Sequence, residues 1–168
     1  MLYDILAETA HAQPDKPAVI CGQKQFTYAQ LLDRVDRLAN ALKDIGIARS
    51  HRIAVIHRNC HRCLESYFAA AKLGAILVPL NYRLISKDYI YVINNCLVHT
   101  LICHPRYISW VYQNNLEVPL IENIILTESP DKQCPANERI SDYETMLGKA
   151  FKRDMRNNDI LESDIAQI

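Results

Sequence analysis

Apolar and polar positions along this 168-residue chain follow two rhythms. In the first, Leu31, Val35, Leu38, Leu42 and Ile45 recur every three to four residues, which predicts a helix over residues 28–45. Thr27 with Gln30 fits a capping box at its start, each side chain reaching the other's free backbone donor. Gly46 stands where a left-handed cap closes a helix. The second rhythm is a set of short continuous apolar runs, RIAVIH, AILVPLN, LVHTLIC and LIENIIL, beginning near residues 52, 75, 97 and 120. Helical segments sit between them. CHRCLESYFAAAKLG has Asn59 as a candidate cap and Gly74 as a stop, and its Glu65 is expected to face solvent. A shorter helix from Ser86 to Asn95 ends on asparagines that tolerate left-handed geometry, and PRYISWVYQNN carries Pro105 in its first turn. Parallel strands need crossovers of this length, and strands covered on both faces are near-continuously apolar. The pattern predicts an α/β fold: a mostly parallel sheet with helices on both faces.

The flanks add smaller elements. Residues 1–12 read as a helix with Leu2, Ile5 and Leu6 on one side, ended by Pro14 and Pro17 because proline cannot continue the ladder. PAVICGQKQFTY reads as a hairpin turning at Gly22. Ser141 and Glu144 form a second candidate capping box, before a short helix ending at Gly148. Residues 128–140, polar and proline-bearing, read as an exposed loop. The closing DIAQI, residues 164–168, reads as the opening of one more strand.

Composition narrows the function classes. The chain is 49% hydrophobic and 23% charged, ordinary for a globular domain. Lys plus Arg and Asp plus Glu number 19 each, so there is no charge excess to displace counterions from nucleic acid. The most apolar run, YFAAAKLGAILVPL, is interrupted by Lys72 and is too short to span a bilayer. The N-terminus carries acids where an export signal carries bases, and six scattered cysteines suit a reducing compartment. The expected location is the cytoplasm.

In open parallel sheets, ligands bind beyond the carboxyl ends of the strands. Those ends read HRNCHRC, NYRL, HPR and TES, and none is a glycine-rich phosphate loop; the chain has four glycines in all. Cys60 and Cys63 form a CxxC at a helix start, where a thiolate is favoured. A thiol-redox protein is one reading of it and ordinary helix-start cysteines the other, which the absence of a suitably placed cis-proline strand and neighbouring Trp favours. His57, Cys60, His61 and Cys63 are zinc-ligand types, but no second pair accompanies them, and His99, Cys103 and His104 fall on another strand. No metal site is expected. His57 and His104 could act as general bases, although no nucleophile or partner carboxylate is placed beside them by sequence. Trp110, Tyr107 and Tyr112 read as helix packing.

FTYAQLLDRVDRLANALKDIGI followed by RIAVIHRNCHRCLESYFAAAKLGAILVPLNYRL resembles the N-terminal part of acyl-CoA synthetases, in particular fatty acid–CoA ligases of the AMP-forming, adenylate-forming class. Features agree in order from about residue 5 to the end: PDKPAVI, FTYAQL opening a helix, a glycine closing it, KLGAILVPLN, then Arg83-Leu84. The resemblance implies that residues 1–168 are the first segment of an adenylation domain. It implies ATP, magnesium and coenzyme A as the full enzyme's cofactors, and a carboxylic acid as substrate. In that class a segment like LESDIAQI leads into a Ser/Thr/Gly-rich loop with a lysine that wraps the phosphates, so the resemblance implies a segment inactive by itself. No catalytic residue transfers to any position here. Asn81 and Arg83 match the family's strand-end pattern and are candidate cofactor contacts, the alternative being turn anchors. A stand-alone interaction or oligomerisation module is the other function class. Self-association through an exposed sheet edge is expected of a sheet ended at DIAQI.

Overall fold

A computed structural model describes residues 2–114, 117–128, 139–151, 160–161 and 163–168, the side chain of Tyr112 excepted. Helix α1 (Leu2–Ala12) precedes an antiparallel hairpin of β1 (Pro17–Cys21) and β2 (Lys24–Thr27), turning at Gly22 with φ of 61°. Helix α2 (Tyr28–Asp44) follows directly. Thr27 Oγ1 accepts from the Gln30 amide at 3.3 Å, and Gln30 Oε1 accepts from the Thr27 amide at 2.9 Å, so the predicted capping box is formed. Gly46 takes a left-handed φ of 89° just past the helix end.

The alternation then begins: β3 (Arg52–Ile56), α3 (His61–Leu73), β4 (Ile76–Leu80), α4 (Ser86–Asn95) and β5 (Thr100–Cys103). A 3-10 turn (Pro105–Tyr107) leads into α5 (Ile108–Gln113), then β6 (Asn123–Leu126), β7 (Ile140–Asp142) and α6 (Tyr143–Lys149). The strands form one parallel five-stranded sheet in the order β4-β3-β5-β6-β7. The predicted fold class holds, with one more strand than expected: Ile140 belongs to β7, not to a loop, while residues 129–138 of the expected loop lie outside the described residues.

Strand residues alternate between two layers. Ile53 and Val55 of β3, Leu77, Ile102 and Ile125 pack with α1, α2, α3 and α6. Ala54, Ile56, Val78, Leu101, Ile124 and Leu126 pack on the other face with Tyr89 and Ile93 of α4 and Val111 of α5. The α2 stripe supplies Leu31, Val35, Leu38 and Leu42, each at most 2% exposed. Each such burial is worth about 1.5–3 kcal/mol. On α1 only Leu6 of the predicted apolar side is buried; Leu2 and Ile5 remain exposed.

Several ends differ from expectation by one or two residues. The cap of α3 is Cys60, in extended geometry and with no side-chain cap bond, rather than Asn59. The cap of α6 is Asp142, whose Oδ1 accepts from the Thr145 amide at 2.8 Å, rather than Ser141. After α4 the left-handed residue is Leu97, with φ of 54°, not an asparagine. The closing segment does run alongside β4: Leu77 N–H donates to the Ala166 carbonyl at 2.9 Å, and Ile168 N–H donates to the Leu77 carbonyl at 3.1 Å. No described helix is long and apolar enough to cross a membrane.

Candidate functional site

The strand order dictates where a site can form. From β3 the chain steps outward to β4, then crosses back to place β5 on β3's other side. Helices α3 and α4 therefore lie on opposite faces, and a crevice opens between the carboxyl ends of β3 and β5. His57 and His104 are the first residues past those two ends, and their rings meet edge-on with centroids 5.3 Å apart.

A cleft of about 770 Å³ opens at this point. The hairpin contributes Cys21, Gln23 and Lys24, and the start of α3 contributes Cys60, His61 and Arg62. The ends of β6 and β7 supply Thr127, Glu128 and Asp142, with Glu144 from α6. Thr127 is buried, and its amide donates to the Cys103 carbonyl at 3.0 Å. The carboxylate partner that sequence could not supply for the histidines is Glu128: its Oε2 lies 3.3 Å from His104 Nε2. Burial lowers the His104 pKa, against the raising pull of Glu128, so this ring is neutral at neutral pH.

Behind the cleft stands a charge network that joins three helices. Arg34 of α2 makes a bidentate pair with Glu65 of α3, at 2.6 and 3.2 Å, and a second with Glu144 of α6, at 3.0 and 3.1 Å. Tyr143 donates its hydroxyl to Glu65 Oε2 at 2.7 Å, and Arg62 Nε donates to Glu144 Oε1 at 3.1 Å. Glu65, expected at the surface, is 0% exposed. The reason is position: it lies four residues before Ala69 on the inward face of α3, and two fixed donors there take up both carboxylate oxygens. Burial and the Glu65 carboxylate together push the Tyr143 hydroxyl far above its ordinary pKa, so it stays a donor. Burial raises the Glu144 carboxyl, but Arg34 and Arg62 overcome this and hold it below the usual range.

The CxxC is built as its position at a helix start predicts. Cys60 Sγ lies 3.9 Å from Cys63 Sγ and 3.4 Å from His57 Nδ1. Donation from the Cys63 thiol, opposed by burial and helped by His57, lowers the Cys60 pKa well below the ordinary thiol range; Cys63, keeping the shared proton, is raised. His57 Nδ1 also approaches the Arg58 carbonyl at 2.6 Å. His61 takes no part: it is buried against the Phe26 ring, both nitrogens without a partner, and burial lowers its pKa.

Asn81 and Arg83 lie elsewhere, past β4. Asn81 Oδ1 accepts from the Arg83 amide at 3.0 Å, and its carbonyl accepts from the Tyr89 hydroxyl at 3.0 Å. Arg83 Nε donates to the Tyr82 hydroxyl at 3.1 Å. Neither residue lines the cleft at β3 and β5. Trp110 and Tyr107 pack in the α4–α5 layer, Trp110 edge-on to Tyr89 at 5.2 Å.

A profile of AMP-binding enzymes matches residues 6–167. The chain belongs to the AMP-binding enzyme family. A medium/long-chain-fatty-acid–CoA/3-oxocholest-4-en-26-oate–CoA ligase of Mycobacterium tuberculosis is 32% identical over 130 residues, covering 77% of this chain and 24% of that protein. An indoleacetate–CoA ligase of Aromatoleum aromaticum is 34% identical over 102 residues, covering 61% and 20%. Among solved structures, an anthranilate CoA ligase in complex with anthranoyl-AMP superposes with a TM-score of 0.88 at 21% identity, over 98% of this chain and 31% of that one. The likeness to that structure shows the shared adenylate-forming fold. The chain spans about a quarter of the length of the curated relatives it matches.

Magnesium, which this family pairs with ATP, does not fit the cluster of ligand-type side chains at the start of α3. That cluster, the one group of three such side chains among the described residues, is His57, Cys60 and Cys63. Two sulfurs and an imidazole are soft donors, whereas magnesium selects oxygen.

Proposed function

We propose that this chain forms the first part of the adenylation domain of an AMP-forming acid–CoA ligase. The match of the family profile across residues 6–167 carries the reading. In the proposed reaction a carboxylate oxygen attacks the α-phosphorus of ATP and pyrophosphate leaves. The acyl-AMP so formed then loses AMP to the attacking thiol of coenzyme A. A carboxylate is a poor electrophile until adenylation makes one of its oxygens part of a good leaving group, AMP, which is why ATP is consumed. Within this scheme the 168 residues supply a scaffold and one wall of a cleft, not the groups that hold phosphate. No glycine-rich loop follows any described strand, and the cations behind the cleft, Arg34 of α2 and Arg62 of α3, are already committed to carboxylates. Asn81 and Arg83 serve this body as anchors of the β4–α4 turn.

The substrate class is a carboxylic acid, and the relatives are ligases of medium- to long-chain fatty acids, 3-oxocholest-4-en-26-oate and indoleacetate. A chimera tests the reading: this chain replaces the matching quarter of the mycobacterial ligase, and acyl-CoA formation is measured across a panel of acids. Acid-dependent acyl-CoA formation supports it. A folded chimera that makes no acyl-CoA from any acid contradicts it.

A further inference from the structure

The cluster at the start of α3 goes beyond the ligase reading and stands independently of it. We propose that His57, Cys60 and Cys63 form a binding site for one zinc ion on the wall of the cleft. The three ligand atoms lie within 4.8 Å of one another. With zinc–sulfur bonds of about 2.3 Å and zinc–nitrogen bonds of about 2.0–2.1 Å, a tetrahedral ion needs sulfur–sulfur and sulfur–nitrogen edges of about 3.8 and about 3.6 Å. The observed edges are 3.9 Å from Cys60 Sγ to Cys63 Sγ and 3.4 Å from Cys60 Sγ to His57 Nδ1. Two of the three edges are therefore already near coordinating lengths.

The backbone holds this arrangement. Cys60 caps α3 in extended geometry and Cys63 lies in the helix's first turn, so both sulfurs lie on one side. His57 closes the group from the end of β3, one of the two strands that border the crevice. Thiolate plus imidazole selects zinc over magnesium or calcium. Three protein ligands leave a fourth position for water or for another donor on the cleft, where Cys21 also stands. Loading releases the proton held between the two sulfurs, and with Nδ1 as the ligand the neutral ring carries its own proton on Nε2 instead of directing it at the Arg58 carbonyl.

The test is cobalt(II) titration of the reduced, metal-stripped chain, followed by displacement with zinc. The expected result is a thiolate-to-cobalt charge-transfer band with tetrahedral d–d bands, saturating at one equivalent and abolished by zinc. Cys60→Ser and Cys63→Ser should each remove about half of the charge-transfer intensity. His57→Gln should keep that band but weaken binding more than about tenfold. A second measurement uses the unaltered chain: zinc should slow alkylation of Cys60 and Cys63 at least about tenfold while leaving Cys96 unchanged. No charge-transfer band, a band untouched by both serine variants, or equal Cys60 alkylation with and without zinc would overturn the proposal.

Discussion

Glu65 accepts from Arg34 and Tyr143 in a site closed to water, so its removal strands two donors at once. Breaking a buried ion pair from one side costs about 3–5 kcal/mol. Glu65→Ala is therefore expected to lower unfolding free energy in urea by about that amount, and Glu65→Gln by less, because the amide still accepts from Tyr143. An unchanged midpoint in Glu65→Ala would contradict the network. Its other acid sets a pH dependence. The folded Glu144 carboxyl sits below its unfolded value, so its stabilisation is complete above the ordinary glutamate value of 4.5 and is lost as pH falls through the depressed one. Thermal midpoints should decline below that point, and Glu144→Gln should flatten the decline; equal slopes in both proteins would refute the assignment. Arg34 was readable in part from sequence, since a charge three residues after Leu31 and four before Leu38 falls on the inward stripe. Its partners were not, because nothing in a linear pattern pairs position 34 with 65 or 144.

At the scale of elements, Gly74 shows how a helix stop also docks a distant segment. It ends α3 in left-handed geometry with φ of 65°. A β-carbon there would stand 3.1 Å from Arg49 Cγ and 3.2 Å from Ile160 Cγ1. Arg49 in turn holds Asp164 at 2.6 Å, beside the residues that bridge to β4. Gly74→Ala should cost about 1–2 kcal/mol from the backbone alone. It should also hasten proteolytic trimming near residues 160–168; an unaltered midpoint and digestion pattern would show the position to be permissive. The long elements were legible because period and capping agreed: α2 was expected at 28–45 and is found at Tyr28–Asp44. Strand β7 was not, for Ile-Ser-Asp offers no period and a single apolar residue. The cap of α3 was misplaced by one because Cys60 holds that position through backbone geometry, without a side-chain bond to announce it.

The whole molecule is a parallel sheet whose order creates a crevice at β3 and β5, and both histidines found there came from strand-end reasoning. The cluster of His57 with the CxxC was discounted in sequence for want of a second ligand pair, whereas the fold brings three ligands together without one. The sheet edges also differ from a bare unpaired edge: residues 166–168 bond to part of β4, and β7 is three residues long, two features that blunt edge-to-edge pairing. We propose a division of labour in which these residues build the scaffold of an adenylation domain and the groups that bind ATP phosphates come from elsewhere in the enzyme. Exchange of labelled pyrophosphate into ATP, measured on the 168-residue chain with a panel of carboxylic acids, tests it most directly. The account predicts no acid-dependent exchange; exchange that rises with added acid would contradict it.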